Sequence, residues 1–255
     1  MGGLARAAWP KALLRAALRA YVRVYGVDMR EAAKPLDEFE SFTQFFTREL
    51  RDGARPVSPD PDTAVSPCDG RVHAVGEVAD GRIHQDERRT FALEALLGEA
   101  RADLEGTSYA VIYLSPRDYH RVHAPVGGEV ARFRYLPGRL WPVFPAATRR
   151  IDGLFSGNER LVAWMCHGGE DVAIVFVGAF GVGRIRVEFD ETVSNARQPA
   201  VERRLEPAWG VAKGAELGRF ELGSTVILLM PRSYAWTVAA GDTVRVGAPI
   251  ARRIR

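Results

Sequence analysis

The chain has 255 residues, 47% of them hydrophobic, which suffices for one large domain or a domain with an appendage. Its net charge of +3 is too mild for a general polyanion binder, so nucleic acid is not an expected partner. Cys68 and Cys166 are the only cysteines and are expected as free thiols; no window approaches the ~20 apolar residues of a membrane-spanning helix.

What basic bias there is collects at the start. Residues 1–27 carry Arg6, Lys11, Arg15, Arg19 and Arg23 and no acid. The periodicity predicts a helix from Lys11 to Tyr25. At about 100° per residue, Lys11, Arg15, Arg19 and Arg23 form one stripe, with Leu13, Leu14, Ala17, Leu18, Tyr21, Val24 and Tyr25 mostly on the other side. Such a helix, with Trp9 at its entrance, suits an anionic membrane interface; the alternative is a surface helix packed on the domain with its basic face solvated. Arginines interrupt any secretory apolar core, and a mitochondrial presequence matches in pattern apart from the lack of serine.

A second helix is predicted over Ser41–Leu50, with Phe42, Phe45 and Phe46 buried, and the proline-bearing stretch Arg51–Asp62 reads as a linker. Residues 1–60 are thus expected to be a helical, membrane-associating region and residues 61–255 a separate domain. Beyond 61, β-branched runs recur between Gly and Pro: Thr107–Leu114, Glu129–Tyr135, Leu161–Cys166, Val172–Val177, Arg184–Phe189, Thr225–Met230 and Thr243–Val246. The fold class is therefore α+β, with N-terminal amphipathic helices and a β-rich, mainly antiparallel catalytic domain. One short helix is expected within 92–104. Gly241–Ile250 resembles the closing hairpin of lipoyl-type sandwich domains, but none of the lysines, Lys11, Lys34 and Lys213, sits in such a hairpin.

Two segments are dense in catalytic residue types: Pro67-Cys68-Asp69-Gly70 and Ser115-Pro116-Arg117-Asp118-Tyr119-His120-Arg121-Val122-His123. Ser115-Pro116 with Asp118 predicts a helix start, and a helical turn would place His120 and His123 on one side. A metal pair is an alternative, but no third ligand stands at a recognisable spacing. Asp69 is a candidate to orient an imidazole, although Asp-Gly is also a common turn. Near the C-terminus, Gly223-Ser224 opens the apolar run Thr225–Met230, and the Ser224 hydroxyl is placed to attack the peptide bond before it.

These stretches resemble the phosphatidylserine decarboxylase proenzymes of the bacterial and mitochondrial-type branch. The resemblance runs in order from about residue 28 to the end. It is carried by Phe45-Phe46-Thr47-Arg48-x-Leu50-Arg51, Arg55-Pro56-Val57, Pro67-x-Asp69-Gly70, Tyr113–His123 with Pro125, Asn158-Glu159-Arg160, Val177-Gly178-Ala179, and Lys213-Gly214 through to Leu222-Gly223-Ser224-Thr225-Val226-Ile227. It implies self-cleavage between Gly223 and Ser224 into a beta chain (1–223) and an alpha chain (224–255), with Ser224 becoming a covalent pyruvoyl cofactor. It implies Asp69 and His123 as the relay that activates Ser224, and His120 as the residue needed afterwards, in decarboxylation of phosphatidylserine to phosphatidylethanolamine. A near-neutral pKa would suit His120 to deliver a proton there. No metal is implied. Expected partners are phosphatidylserine, the anionic phospholipid surface on the cytoplasmic face of the membrane, and further copies of the chain in a homo-oligomer. Phe144, where many members carry Asn, departs from the pattern in Pro137–Phe144.

Two rival classes are weighed against this reading. A serine hydrolase acting in trans would stay as one chain, and the Gly-x-Ser-x-Gly elbow is absent. A non-catalytic lipoyl-like scaffold would not need the Asp, His and Ser together.

Overall fold

The structure is a computed structural model, and it describes residues 10–86, 88–180, 184–195, 198–221 and 224–254. Helix α1 spans Lys11–Tyr25 and stops at Gly26, whose φ of 69° is left-handed and costs a glycine least. It buries Leu14 and Leu18 against Val27, Phe39 and Phe45. Helix α2 covers only Phe42–Phe46, with the Ser41 hydroxyl accepting the Gln44 N–H at 3.1 Å. It is shorter than its aromatic spacing predicts because Thr47 closes it and Leu50 bridges to Ala32.

The remainder is mainly antiparallel sheet. In chain order the elements are β1 (Thr63–Val65), β2 (Gly70–Glu77), β3 (Arg82–His84), β4 (Thr90–Ala92), α3 (Leu93–Leu97), β5 (Ser108–Leu114), β6 (Arg121–His123), β7 (Gly128–Leu136), α4 (Pro145–Thr148), α5 (Leu154–Gly157), β8 (Arg160–His167) and β9 (Glu170–Gly178). They continue as β10 (Ile185–Val187), β11 (Val201–Val211), β12 (Glu216–Phe220), β13 (Ser224–Met230), β14 (Tyr234–Trp236), β15 (Thr243–Val244) and β16 (Pro249–Arg253). Eight form one sheet in the order β11-β7-β8-β9-β13-β5-β2-β15.

Strand β13 lies inside that sheet, between β5 and β9, and each of its residues is buried. Val226, Leu228 and Met230 enter one core and Ile227 and Leu229 the other, which is why the sequence shows an unbroken apolar run rather than alternation. The register sets Ser224 opposite Leu114 on β5 and Gly178 on β9. A smaller sheet, β10-β12-β6, carries His123.

The Gly241–Ile250 stretch does not pair with itself. Its β15 joins β2, whereas β16 joins β1 and β14 in another sheet. Arg51–Asp62 is not a free linker either, because Arg55 within it is held by two carboxylates.

Candidate active site

The segment after β5 folds as a closed turn. Asp118 Oδ2 accepts the Ser115 N–H at 2.7 Å and the Ser115 hydroxyl at 2.6 Å, and the Asp118 N–H returns to the Ser115 carbonyl at 2.9 Å. The expected helical turn does not follow. The chain goes directly into β6, whose pairing with β12 takes up the backbone groups a helix would need, so His120 and His123 do not share a helix face.

His120 ends this turn fully buried. Its Nδ1 lies 2.9 Å from the Asp118 carbonyl, which only accepts, so the proton sits on Nδ1 and Nε2 presents a lone pair. That Nε2 has no hydrogen-bond partner. The Phe46 ring packs on the imidazole with centroids 4.0 Å apart. Burial pushes the His120 pKa down to about 3, and the nearby Arg48 cation adds to this. The near-neutral value expected from sequence is therefore corrected: a dry, aromatic-packed imidazole stays neutral.

His123 is set in the same way. Its Nδ1 faces the Gly214 carbonyl at 2.8 Å, and its Nε2 accepts the Tyr119 hydroxyl at 3.2 Å. Its N–H binds the Pro67 carbonyl at 2.7 Å, tying β6 to the Asp69 turn. Burial lowers its pKa, against the pull of the carboxylates of Glu216 and Asp69. Beside it lies a cavity of about 360 Å³, with Arg55, Tyr119 and Gly214 in its wall.

Asp69 is 6% exposed and fully engaged, but not with an imidazole. Arg55 Nε reaches its two oxygens at 2.9 and 3.0 Å, Arg55 Nη2 reaches Oδ2 at 2.5 Å, and the Val246 N–H reaches Oδ1 at 2.9 Å. Asp69 thus acts on His123 through space. Gly70 follows because a Cβ there would collide with the Tyr113 carbonyl.

Ser224 heads β13 with its Oγ buried and unpartnered, and the same holds for Thr225 Oγ1. A buried hydroxyl without a partner costs about 1–3 kcal/mol. Gly223, the other half of the expected cleavage site, lies outside the described residues. Among the described residues no hydrogen bond joins Ser224, His123 and Asp69 to one another. The Phe220 N–H binds the His120 carbonyl at 2.9 Å, and Ser224 pairs with Leu114, the residue before the Ser115 turn.

Sequence reasoning missed the residues that hold this site. Arg48 donates to the Arg117 and Asp118 carbonyls at 3.0 and 3.3 Å, and Tyr21 of α1 to the Pro116 carbonyl at 3.0 Å, so the N-terminal helices clamp the histidine turn. Asn158 donates to the Trp141 carbonyl (2.8 Å) and the Gly178 carbonyl (2.9 Å) and accepts the Trp141 N–H (3.0 Å), pinning the 137–144 loop beside Ser224. Gly138 permits this, since a Cβ would stand 2.6 Å from Asn158 backbone. Phe144, at the end of that loop, is 46% exposed. The one available signal was the placement of Arg48, Arg55 and Asn158 inside motifs with no assigned chemistry. Among the described residues no group of three His, Cys, Asp or Glu is placed to hold a metal ion.

A buried serine hydroxyl without a partner and two imidazoles whose charged forms burial disfavours are groups capable of nucleophilic chemistry. The sequence profile of the phosphatidylserine decarboxylase family matches residues 42–252, and the chain belongs to that family. The phosphatidylserine decarboxylase proenzyme of Myxococcus xanthus (strain DK1622) is 43% identical over 246 residues, covering 94% of this chain and 88% of that protein. The proenzyme of the same name from Anaeromyxobacter sp. (strain K) is 43% identical over 258 residues, covering 98% and 91%. That of Brevibacillus brevis (strain 47 / JCM 6285 / NBRC 100599) is 37% identical, covering 94% and 88%.

Proposed function

We infer that this chain is a proenzyme that decarboxylates phosphatidylserine to phosphatidylethanolamine and carbon dioxide, after cutting itself between Gly223 and Ser224. The observation that carries the self-cleavage is the buried, unpartnered Ser224 hydroxyl at the head of a central strand. In this reading Ser224 Oγ adds to the Gly223 carbonyl carbon, and its proton passes to a base while the acyl group moves from nitrogen to oxygen. Elimination then frees the Gly223 carboxylate, and water releases ammonia to leave a pyruvoyl group at position 224. When in place, that group supplies an electron sink for the electrons freed with carbon dioxide.

His123 is the base for Ser224. Its Nδ1–H is fixed on the Gly214 carbonyl, so its basic site is Nε2. Tyr119 holds that lone pair until it is needed. Asp69 favours the imidazolium that forms on proton transfer, while Arg55 keeps the carboxylate in place. His120, dry and neutral, serves turnover by taking and returning a proton at Nε2. The alpha chain stays after cleavage, since Ser224–Met230 is paired along its length with β5 and with β9 for all but Met230.

Residues 1–60 are the membrane-facing region in this reading, acting at the cytoplasmic face of the membrane. On α1 the side opposite Leu14 and Leu18 exposes Leu13 at 53% and Val24 at 76%, next to exposed Lys11, Arg15, Arg19 and Arg23. That suits shallow insertion with phosphate contacts. No helix of the described residues is long and apolar enough to cross a membrane. Intact mass tests the processing: purified protein is expected as two chains, and Ser224→Ala as one inactive chain. A single full-length species after prolonged incubation of the parent protein would refute it.

A further inference from the structure

Ser224 of β13 pairs with Leu114 of β5 and Gly178 of β9, and Leu136 of β7 pairs with Arg160 of β8. Arg160 in turn pairs with Val177, so these residues stand at one end of the eight-stranded sheet. Two segments meet that end. The chain runs from Leu136 directly into residues 137–151, and α1 is tied there by the bond from Tyr21 to the Pro116 carbonyl, two residues past Leu114. Both segments also approach Tyr113. Val143 and Ala147 enter the core against which Tyr113 packs, and Pro145 and Arg149 share a cavity wall with it. Burial raises the Tyr113 pKa, and Asp118 and then Tyr25 add to this, so the last turn of α1 is close to the same tyrosine.

Residues 137–151 carry Arg139, Arg149 and Arg150 and no acid, the same bias as residues 1–27. All three arginines are exposed, and among the described residues none has a carboxylate partner. The Arg139 guanidinium lies over the Trp141 ring, 4.6 Å from its centroid. Phe144 is exposed, whereas Val143 before it and Ala147 after it are buried and Asn158 holds Trp141. The outward ring is thus fixed by inward neighbours on both sides. A phenyl group held out beside unpaired arginines suits the boundary of an anionic bilayer, where the ring leaves water and guanidinium groups meet phosphate.

We propose that residues 139–150 form a second docking surface for an anionic phospholipid bilayer, with Phe144 entering the headgroup boundary and Arg139, Arg149 and Arg150 meeting lipid phosphates. The surface extends the membrane-facing reading of α1 to a segment outside residues 1–60 and takes its partner from that reading. A single interfacial helix anchors the domain but leaves it free to roll about the helix axis. A second contact at the same end of the sheet fixes which end faces the lipid, and linking two weak contacts in one chain raises the overall affinity above that of either.

The test uses the full-length Ser224→Ala chain and sedimentation with mixed vesicles of phosphatidylglycerol and phosphatidylcholine. Phe144→Ser is expected to weaken binding about fivefold, because part of one phenyl transfer is lost, while Phe144→Leu keeps most of it. Arg149→Gln with Arg150→Gln is expected to weaken binding about tenfold at low salt, a difference that shrinks as salt rises, while Lys at both positions retains it. Ile254→Ser is the control. Ile254 is also exposed, but its N–H binds the Ser233 carbonyl and the Ser233 hydroxyl reaches Glu170, at the other end of β9 from Gly178, so no change is expected. The replaced side chains face solvent, so the urea midpoint should hold; were Phe144→Ser to unfold, the arginine pair decides alone. Parent-like binding by both variants, or an equal loss from Ile254→Ser, would overturn the surface. Binding to pure phosphatidylcholine as tight as to the mixed vesicles would overturn the anionic assignment. A dimer split by Phe144→Ser with vesicle binding unchanged would give the surface to a second copy instead. Leu13→Ser with Val24→Ser judges α1 separately: loss from that pair alone keeps α1 and removes this surface, and loss from Phe144→Ser alone does the reverse.

Discussion

His120 makes stability depend on pH in a way that can be worked out from its surroundings. Its imidazole has an ordinary pKa of 6.5 in the unfolded chain and about 3 in the folded protein. The unfolded state therefore binds the extra proton first as pH falls, and folding stability declines from about pH 6.5 down to about 3 and is flat above. One pKa unit corresponds to about 1.4 kcal/mol, so near pH 5 the loss from His120 alone is about 2 kcal/mol relative to pH 7.5. Urea unfolding of the Ser224→Ala chain, followed by tryptophan fluorescence near pH 5 and near pH 7.5, measures the total. His73 and His123, also lowered by burial, push in the same direction. His120→Asn keeps a donor for the Asp118 carbonyl and removes the titration. The difference between the two chains should then shrink by about 2 kcal/mol near pH 5. The same pH dependence in both chains, or a His120 ring proton that titrates near 6.5, would refute the reasoning. In the proposed mechanism, a neutral His120 enters turnover as a base rather than as a charged acid.

His120→Ala should still cleave at Gly223–Ser224 yet decarboxylate about 10²–10⁴-fold more slowly, whereas His123→Ala should fail at cleavage; gels and carbon dioxide release separate the two. Asp69→Asn should slow cleavage and also destabilise the Ser224→Ala chain, by less than the about 3–5 kcal/mol of a fully unpaired buried charge because Glu31 still pairs with Arg55; an unchanged urea midpoint would contradict this. Tyr119→Phe removes the hydrogen bond that favours neutral His123, so the pH midpoint of the cleavage rate should move upward, and a downward move would count against His123 as the base. Leu13→Ser with Val24→Ser should weaken binding to anionic vesicles without changing the unfolding midpoint, since both side chains face outward; unchanged vesicle binding would leave α1 as a packed surface helix.

Local pattern carried much of this protein. Helix α1 was legible to its last residue from basic and apolar periodicity, and β13 from its apolar run, because each needs only neighbours in sequence. The long strand β11 went unread, since Glu202, Arg203 and Arg204 at the sheet edge break any apolar alternation. Asp69, His120, His123 and Ser224 could be singled out by residue type and motif. Their electrostatic state could not. Only the packing of Phe46 on His120, the bond from Tyr119 to His123 and the capture of Asp69 by Arg55 decide which groups are charged and which lone pairs are open. Those partners lie 4 to 74 residues away in sequence, and a pKa depends on burial and distance, which no linear spacing specifies.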